Sequence, residues 1–282
     1  MQNTIFYSNK SINCNGNLID INNPLIMGIV NYTDDSFYDG GLLKNIKHAV
    51  KHTEKLINEG ADIIDLGAMS TRPGATEIDL TTEKTKIKNL LIILKKEFPK
   101  TLISIDTYRA EVADIALSEG ADIINDISGS QFDERLIDII TKHNAPYILM
   151  HTQGKPKTMQ TNPKYNNIVN DVIYFLSEKI NKLHLKGVND IIIDPGFGFG
   201  KTLEHNYQLI KNLEYFKVLN KPILVAISRK SMIYKLFNQS PSESLNGTTI
   251  LNTISLLKSA KIIRVHDVKE AKQIISILNM IQ

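Results

Sequence analysis

What the chain lacks narrows its role. It has a single cysteine, Cys14. One thiol forms neither an internal disulfide nor a zinc cluster, so a disulfide-stapled scaffold is excluded and a reducing compartment, the cytoplasm, is expected. Charge of neither sign is in excess: 33 Lys+Arg stand against 30 Asp+Glu, a net of +3. That balance is too even for a dedicated nucleic-acid binder, so no nucleic-acid partner is expected, although a local anion site is compatible with it. No uninterrupted apolar run is long enough to cross a bilayer, so no membrane is expected either. The stretch Met1–Lys10 has no apolar core of the kind a secretory leader needs, and none is expected. The seven histidines show no metal-ligand spacing. No linker, low-complexity tract or charge run marks a second domain, so residues 1–282 are expected to form one.

What is present is an alternation. Eight short apolar runs read as strands: Leu25–Val30, Ile63–Leu66, Leu102–Ile105, Ile123–Ile124, Tyr147–Met150, Ile191–Ile193, Ile223–Ile227 and Ile262–Val265. Continuous Ile/Val/Leu runs are the mark of parallel strands covered on both faces. Between them lie stretches of helical period, such as Ile46, Val50, Leu56 and Ile57, then Ile87, Leu90, Leu91 and Leu94, and later Leu209, Ile210, Leu213 and Phe216. The phrase Glu-Gly-Ala-Asp occurs at Glu59–Asp62 and at Glu119–Asp122, each where a helix should hand over to a strand, with Gly60 and Gly120 as natural helix ends. The pattern predicts an α/β fold with a parallel sheet. The length, 282 residues, suits a (β/α)8 TIM barrel of about 250 residues. An open doubly wound sheet satisfies the same periodicity. Residues 1–24 precede the first strand, and the turn-rich Asn13–Asn17 suggests an N-terminal β-hairpin that closes the barrel bottom.

The polar residues fall where a barrel enzyme builds its site, at the C-terminal ends of the strands. In order these ends carry Asn31, Ser70-Thr71-Arg72-Pro73, Asp106-Thr107, Asn125-Asp126, His151, Asp194-Pro195-Gly196, Ser228-Arg229-Lys230-Ser231 and Arg264-Val265-His266-Asp267. Any one such Asp or Ser is often only the cap of the next helix, and Asp267 is expected to be one. Eight of them on one rim are poorly explained that way. Lys230, Arg264 and His266 follow the last two strands, where barrels commonly take phosphate, and Arg72 could join them. Asp106, Asn125 and Asp194 offer carboxylate and amide groups that pair with the amino group and ring N–H of a guanine-like or pterin-like heterocycle. Lys230 could donate to its carbonyl. Two tempting motifs fail. Gly200-Lys201-Thr202 would end a P-loop, but the glycine required five residues earlier is Pro195. Lys201 and Lys230 could suggest a Schiff base, but loop lysines are usually solvated, and both are expected to be so.

Five motifs, in this order and over roughly Asn22 to Leu278, make the sequence resemble the dihydropteroate synthase family of pterin-binding barrels. They are Ile26–Asn31 with Asp35–Gly41; Gly60–Asp65 with Ser70–Ala75; Ser104–Thr107 with Ile123–Gly129; Asp194–Thr202; and Ser228–Ser231 with Arg264–Asp267. The resemblance implies a transferase that joins 6-hydroxymethyl-7,8-dihydropterin pyrophosphate to p-aminobenzoate, releasing pyrophosphate. It implies that Asp106, Asn125, Asp194 and Lys230 hold the pterin, and that Arg264 and His266 take the pyrophosphate, Arg264 also lying against the ring. Asn31 would bind a Mg²⁺ carried on that pyrophosphate. Thr71, Pro73, Phe199 and Ser231 would line the aminobenzoate site. Asp39 and Arg72, on loops that close over the mouth, would act in catalysis with Lys230. A homodimer is also implied.

There are departures from the family pattern. Asp34 stands where proline is usual, Ala68-Met69 where a Gly-Glu pair is usual, and Gln153 where arginine is common. Two other functions share parts of this rim: a pterin-binding methyltransferase barrel, which has no pyrophosphate to bind, and a non-catalytic paralogue.

Overall fold

Side chains alternate across a strand, so residues two apart share a face. That rule organises the computed structural model, which describes residues 11–32, 42–68, 78–154, 159–161 and 163–281. A hairpin comes first, β1 (Ser11–Cys14) and β2 (Asn17–Asp20), followed by β3 (Leu25–Asn31), α1 (Leu42–Asn58), β4 (Ile63–Gly67) and α2 (Leu80–Glu97). Next are β5 (Leu102–Asp106), α3 (Ala110–Ser118), β6 (Ile123–Asp126), α4 (Arg135–His143), β7 (Tyr147–Met150) and α5 (Ile168–Leu185). The chain ends with β8 (Ile191–Asp194), α6 (Leu203–Lys211), β9 (Ile223–Val225), α7 (Ser231–Tyr234), α8 (Leu245–Leu257), β10 (Ala260–Val265) and α9 (Val268–Ile281). Strands β3 to β10 close into a parallel barrel, with β10 pairing to both β9 and β3. The open-sheet alternative is therefore excluded.

Outward-facing strand residues such as Ile26, Ile64, Ile105, Ile124, Leu149 and Val265 pack on the helices in one large apolar layer. Each fully buried side chain of this size contributes about 1.5–3 kcal/mol relative to exposure. Gly28 marks a close approach of two helices to the strand. A Cβ there would sit 3.1 Å from Leu56 on α1 and 3.3 Å from Val268 on α9.

Inward-facing residues make a second, separate cluster: Met27, Ile63, Ile123, Ile148, Ile192, Leu224 and Ile262, all from the lower half of the barrel. The hairpin plugs that end with Ile12 and Cys14, joined by Ile21. Its turn is Asn15-Gly16, both at positive φ (50° and 85°), as a primed hairpin turn requires. The Asn13 amide donates to Asp190 at the base of β8 and the Asn15 side chain donates to Asp122 at the base of β6. Burial, with Asp122 and Asp190 nearby, pushes the Cys14 thiol up to about 12, so it stays an inert packing group.

The expected boundaries shift in physically sensible ways. β3, β4, β5, β6 and β8 run past their last apolar residue to Asn31, Gly67, Asp106, Asp126 and Asp194, because the backbone ladder continues regardless of side-chain polarity. The stretch read as one helix around Leu209–Phe216 splits into α6 and a 3-10 turn at Leu213–Leu219. Gly60 and Gly120 end α1 and α3 at φ 102° and 96°, as expected. Asp267 stands at the N-terminal cap position of α9, its carbonyl accepting from the Ala271 N–H, while its two carboxylate oxygens accept from Arg229 at 3.0 and 2.5 Å, tying the loops after β9 and β10 together. Among the described residues no helix is long and apolar enough to cross a membrane.

Candidate active site

The inward face changes character half-way up each strand. Two residues above Ile63 comes Asp65, above Ile123 comes Asn125, above Ile192 comes Asp194, and above Ile262 comes Arg264. On β5 the inward positions are Leu102, Ser104 and Asp106. A polar layer therefore sits on an apolar one, at the end of the barrel opposite the hairpin.

Arg264 is the centre of that layer. Its Nε donates to Asp65 Oδ2 at 2.6 Å and its Nη2 to Asp106 Oδ2 at 2.9 Å. Asn125 Nδ2 donates to the same Asp65 oxygen at 3.0 Å. Burial disfavours the guanidinium charge, but Asp65 and Asp106 more than offset this and hold it above its ordinary value. Burial pushes the Asp106 carboxyl up, against the pull of Arg264, and the charges of Asp65 and Glu83 push the same way. Three polar atoms of this layer are buried without a hydrogen-bond partner among the described residues: Asp65 Oδ1, Ser104 Oγ and Asp106 Oδ1. Acceptors left in this way disfavour the apo site by about 1–3 kcal/mol each and favour a ligand that brings N–H donors.

Asp194 and Lys230 form the other side. Burial raises the Asp194 carboxyl, with Lys230, the Gly196 N–H and Lys201 pulling it down. Gly196 N donates to Asp194 Oδ1 at 2.7 Å. Burial lowers Lys230 to about 8, opposed by Asp194. Its ammonium donates to the Phe197 carbonyl at 2.5 Å and lies over the Phe199 ring, 4.6 Å from the centroid. His266, two residues beyond Arg264 on the same face, has Nδ1 3.0 Å from Ser228 Oγ. Ser231 opens α7 and is half-buried; Asn31 ends β3 and is exposed.

Thus Asp106, Asn125 and Arg264 are joined through one buried network, and Asp194 and Lys230 act on each other and on Arg264. Phe199 joins them under Lys230. Asp39, Thr71, Arg72 and Pro73 lie outside the described residues, as do the departures Asp34 and Met69. Gln153 has a local use: its amide donates to the Lys164 carbonyl and accepts from the Lys164 N–H, both at 3.1 Å, which a cation could not do.

Three readings need correction. Asp65 is absent from the expected ring-binding set, yet it anchors the network; its signal in the sequence is a carboxylate at the inward parity of an apolar run, Ile63-Ile64-Asp65-Leu66. His151 does not face the mouth. It shares the outward parity of Tyr147 and Leu149, and its ring is buried edge-on against Phe175, 4.9 Å between centroids. Lys201 is not solvated: it is 3% exposed, and Lys230 is largely enclosed as well. Both owe this to the loop 195–200, whose glycines at φ 74°, 80° and 58° let it lie flat on its neighbours.

Residues 27–266 match the family described as pterin binding enzyme. The dihydropteroate synthase of Escherichia coli (strain K12) is 43% identical over 257 residues, 90% of either chain. A Yersinia pestis dihydropteroate synthase, solved with a sulfonamide drug complex, superposes with a TM-score of 0.90 at 37% identity, covering 96% of this chain and 98% of that one. A Xanthomonas albilineans dihydropteroate synthase, solved with 4-aminobenzoic acid, gives a TM-score of 0.90 at 33% identity, covering 97% and 98%.

Removing Asp65 would leave the buried Arg264 guanidinium with Asp106 alone and the Asn125 amide without its acceptor. Asp65→Ala is expected to lose about 3–5 kcal/mol of stability in urea unfolding, the range for breaking a buried ion pair. A loss below about 1 kcal/mol, the value of a surface pair, would show that the network is solvated.

Proposed function

The chain belongs to the pterin-binding enzyme family and, within it, to the dihydropteroate synthases, and on that premise we propose how its barrel mouth works. The enzyme is a transferase that condenses 6-hydroxymethyl-7,8-dihydropterin pyrophosphate with p-aminobenzoate, giving 7,8-dihydropteroate and pyrophosphate. The observation that carries the reading is the set of buried polar atoms left without a partner among the described residues, the carboxylate oxygens Asp65 Oδ1 and Asp106 Oδ1 together with Ser104 Oγ.

In this reading the pterin enters edge-first. Asp106 and Asp194 accept from its amino and ring N–H groups, Asn125 supplies a mixed amide edge, and Lys230 donates to the ring carbonyl. Arg264 lies against the ring. Two of its nitrogens are already committed to carboxylates, which favours its flat face over its fork as the ligand contact. The departing pyrophosphate then falls chiefly to His266, one layer higher, with Arg264 below it and Arg72 contributed by a closing loop, while Asp39 would stabilise the positive charge that develops on the pterin. Thr71, Pro73, Phe199 and Ser231 line the aminobenzoate site. The methylene C–O bond breaks with pyrophosphate as leaving group, the aryl nitrogen bonds to that carbon, and the amine proton passes to solvent. Proximity supplies much of the rate, so no strong base is required.

Among the described residues no cluster of three metal-ligating side chains exists. One exposed amide, Asn31, fits a cation that arrives on its substrate, since Mg²⁺ keeps several waters and takes few protein ligands when phosphate is present. When bound, the ion would neutralise charge on the leaving pyrophosphate. The methyltransferase alternative lacks that anion and leaves His266 and Ser228 without a purpose.

The whole chain, 1–282, is proposed to act as one domain, in the cytoplasm, where the lone buried thiol is stable. It is also proposed to be a homodimer. Ile250 and Leu257 on α8 and Ile277 and Ile281 on α9 are exposed at helical spacing on adjacent helices, 63% for Leu257 and 71% for Ile281. A patch of this kind marks an interaction surface.

Pyrophosphate release should require both substrates. Asp194→Ala should abolish pterin binding in calorimetry while circular dichroism stays unchanged; normal pterin affinity in that variant would remove Asp194 from the ring site. Because Lys230 loses its proton near pH 8, kcat/KM for the pterin substrate should fall as pH rises through that value, and Lys230→Met should lack the alkaline limb. A flat profile to pH 10 would count against an ammonium donor. Sedimentation should give a dimer, and Leu257→Glu a monomer; a monomeric native protein would reject the interface.

A further inference from the structure

Lys201 has no role in the reaction as described, yet its amine is buried deeper than that of Lys230, and burial pulls it down to about 7 against the charge of Asp194. Its Nζ lies 2.8 Å from the Gly196 carbonyl, 2.9 Å from the Phe199 carbonyl, 3.3 Å from the His151 carbonyl and 3.0 Å from His151 Nδ1. An ammonium has three N–H groups, so these four acceptors occupy all of them. His151 is held neutral, at about 2, by its burial and then by the charge of Lys201, which leaves Nδ1 as an acceptor and the proton on Nε2. A lysine so enclosed cannot reach a substrate.

What it reaches is the loop. A Cβ at Gly196 would collide with the His151 carbonyl, and one at Gly200 would lie 2.6 Å from the Gln153 carbonyl, so residues 195–200 are draped directly on the end of β7. Three positive-φ glycines give such a segment many other conformations. In this one it delivers three groups to the mouth: the Gly196 N–H to Asp194, the Phe197 carbonyl to Lys230, and the Phe199 ring beneath the Lys230 ammonium. Lys201 is bonded to carbonyls at both ends of that delivery, Gly196 and Phe199.

We infer that Lys201 is a positioning residue: its ammonium pins the glycine loop to β7 and so sets where Asp194, Lys230 and Phe199 stand in the mouth. The inference rests on the pterin reading of that mouth. A shift of about 1 Å in such groups costs on the order of 100-fold in rate. Lys201→Met, which keeps the stem and removes the donors, is expected to lower kcat/KM about 100-fold, with a raised KM and Kd for the pterin substrate. Lys201→Arg, which keeps charge and donors, is expected to recover part of that loss. A lysine that merely supported the fold would instead reduce the concentration of active enzyme and leave pterin KM and Kd untouched, and that outcome overturns the inference. If the methionine variant does not fold, Lys201→Gln, whose amide retains two donors, is read in its place: a pterin Kd equal to that of the unaltered enzyme overturns the proposal, and a weakened one supports it. Failure of the unaltered enzyme to release pyrophosphate would sink the synthase reading, whereas an active parent with indifferent Lys201 variants would sink this inference alone.

Discussion

One guanidinium makes the interior of this barrel possible. Asp65 and Asp106 both face inward from β4 and β5, in a space closed below by hydrocarbon. Two carboxylates alone there would force one to take a proton. Arg264 reaches both from β10, the strand that closes the barrel, so the clamp binds the end of the chain to its second and third barrel strands. Such a buried triad is poor evidence for stability, since apolar residues of like volume often serve as well. Its value is directional. It fixes which carboxylate oxygens are used internally and which are left for a ligand, and a lysine in place of the planar fork could not address both partners at set angles.

The same layer explains why so much of the molecule is legible in its sequence. A parallel barrel needs strands that are apolar on their outward side throughout, and inward only to the height of the core. That yields apolar runs with a polar residue at the upper end, which is how β3 to β10 announce themselves and why the rim residues Asp106, Asn125, Asp194 and Arg264 were found. Asn15-Gly16 between two short strands is an equally local signal. The failures have one cause as well. A list of polar strand ends carries no parity. Parity admits Asp65, which lies below the rim, and removes His151, which lies on it.

Lys201 was missed for a different reason. Nothing within the sequence distinguishes a solvated loop lysine from one whose ammonium is covered by backbone carbonyls. The cover comes from the loop's own path, and that path depends on three glycines at positive φ together with a docking surface, the end of β7, that is more than forty residues away in the chain. Such information is tertiary. Glycines at alternate positions were the available hint; they signalled close approach to something, and it proved to be the protein itself before any ligand.

Charge accounting across the mouth separates two tasks by depth. In the lower polar layer Asp65, Asp106 and Asp194 face Arg264 and Lys230, so carboxylate and cation nearly cancel and no surplus positive charge remains for a pyrophosphate. That environment suits a neutral heterocycle read by hydrogen bonds. His266 lies two residues further along β10's line than Arg264, about 6–7 Å higher at the usual rise of a strand, and hydrogen-bonds laterally with Ser228. In the proposed placement the ring would lie deep and the leaving group shallow, with the methylene between them and the aryl amine arriving from the Phe199 side. The proposed direction of bond breaking, outward from the ring layer, follows from this order of charge along the barrel axis.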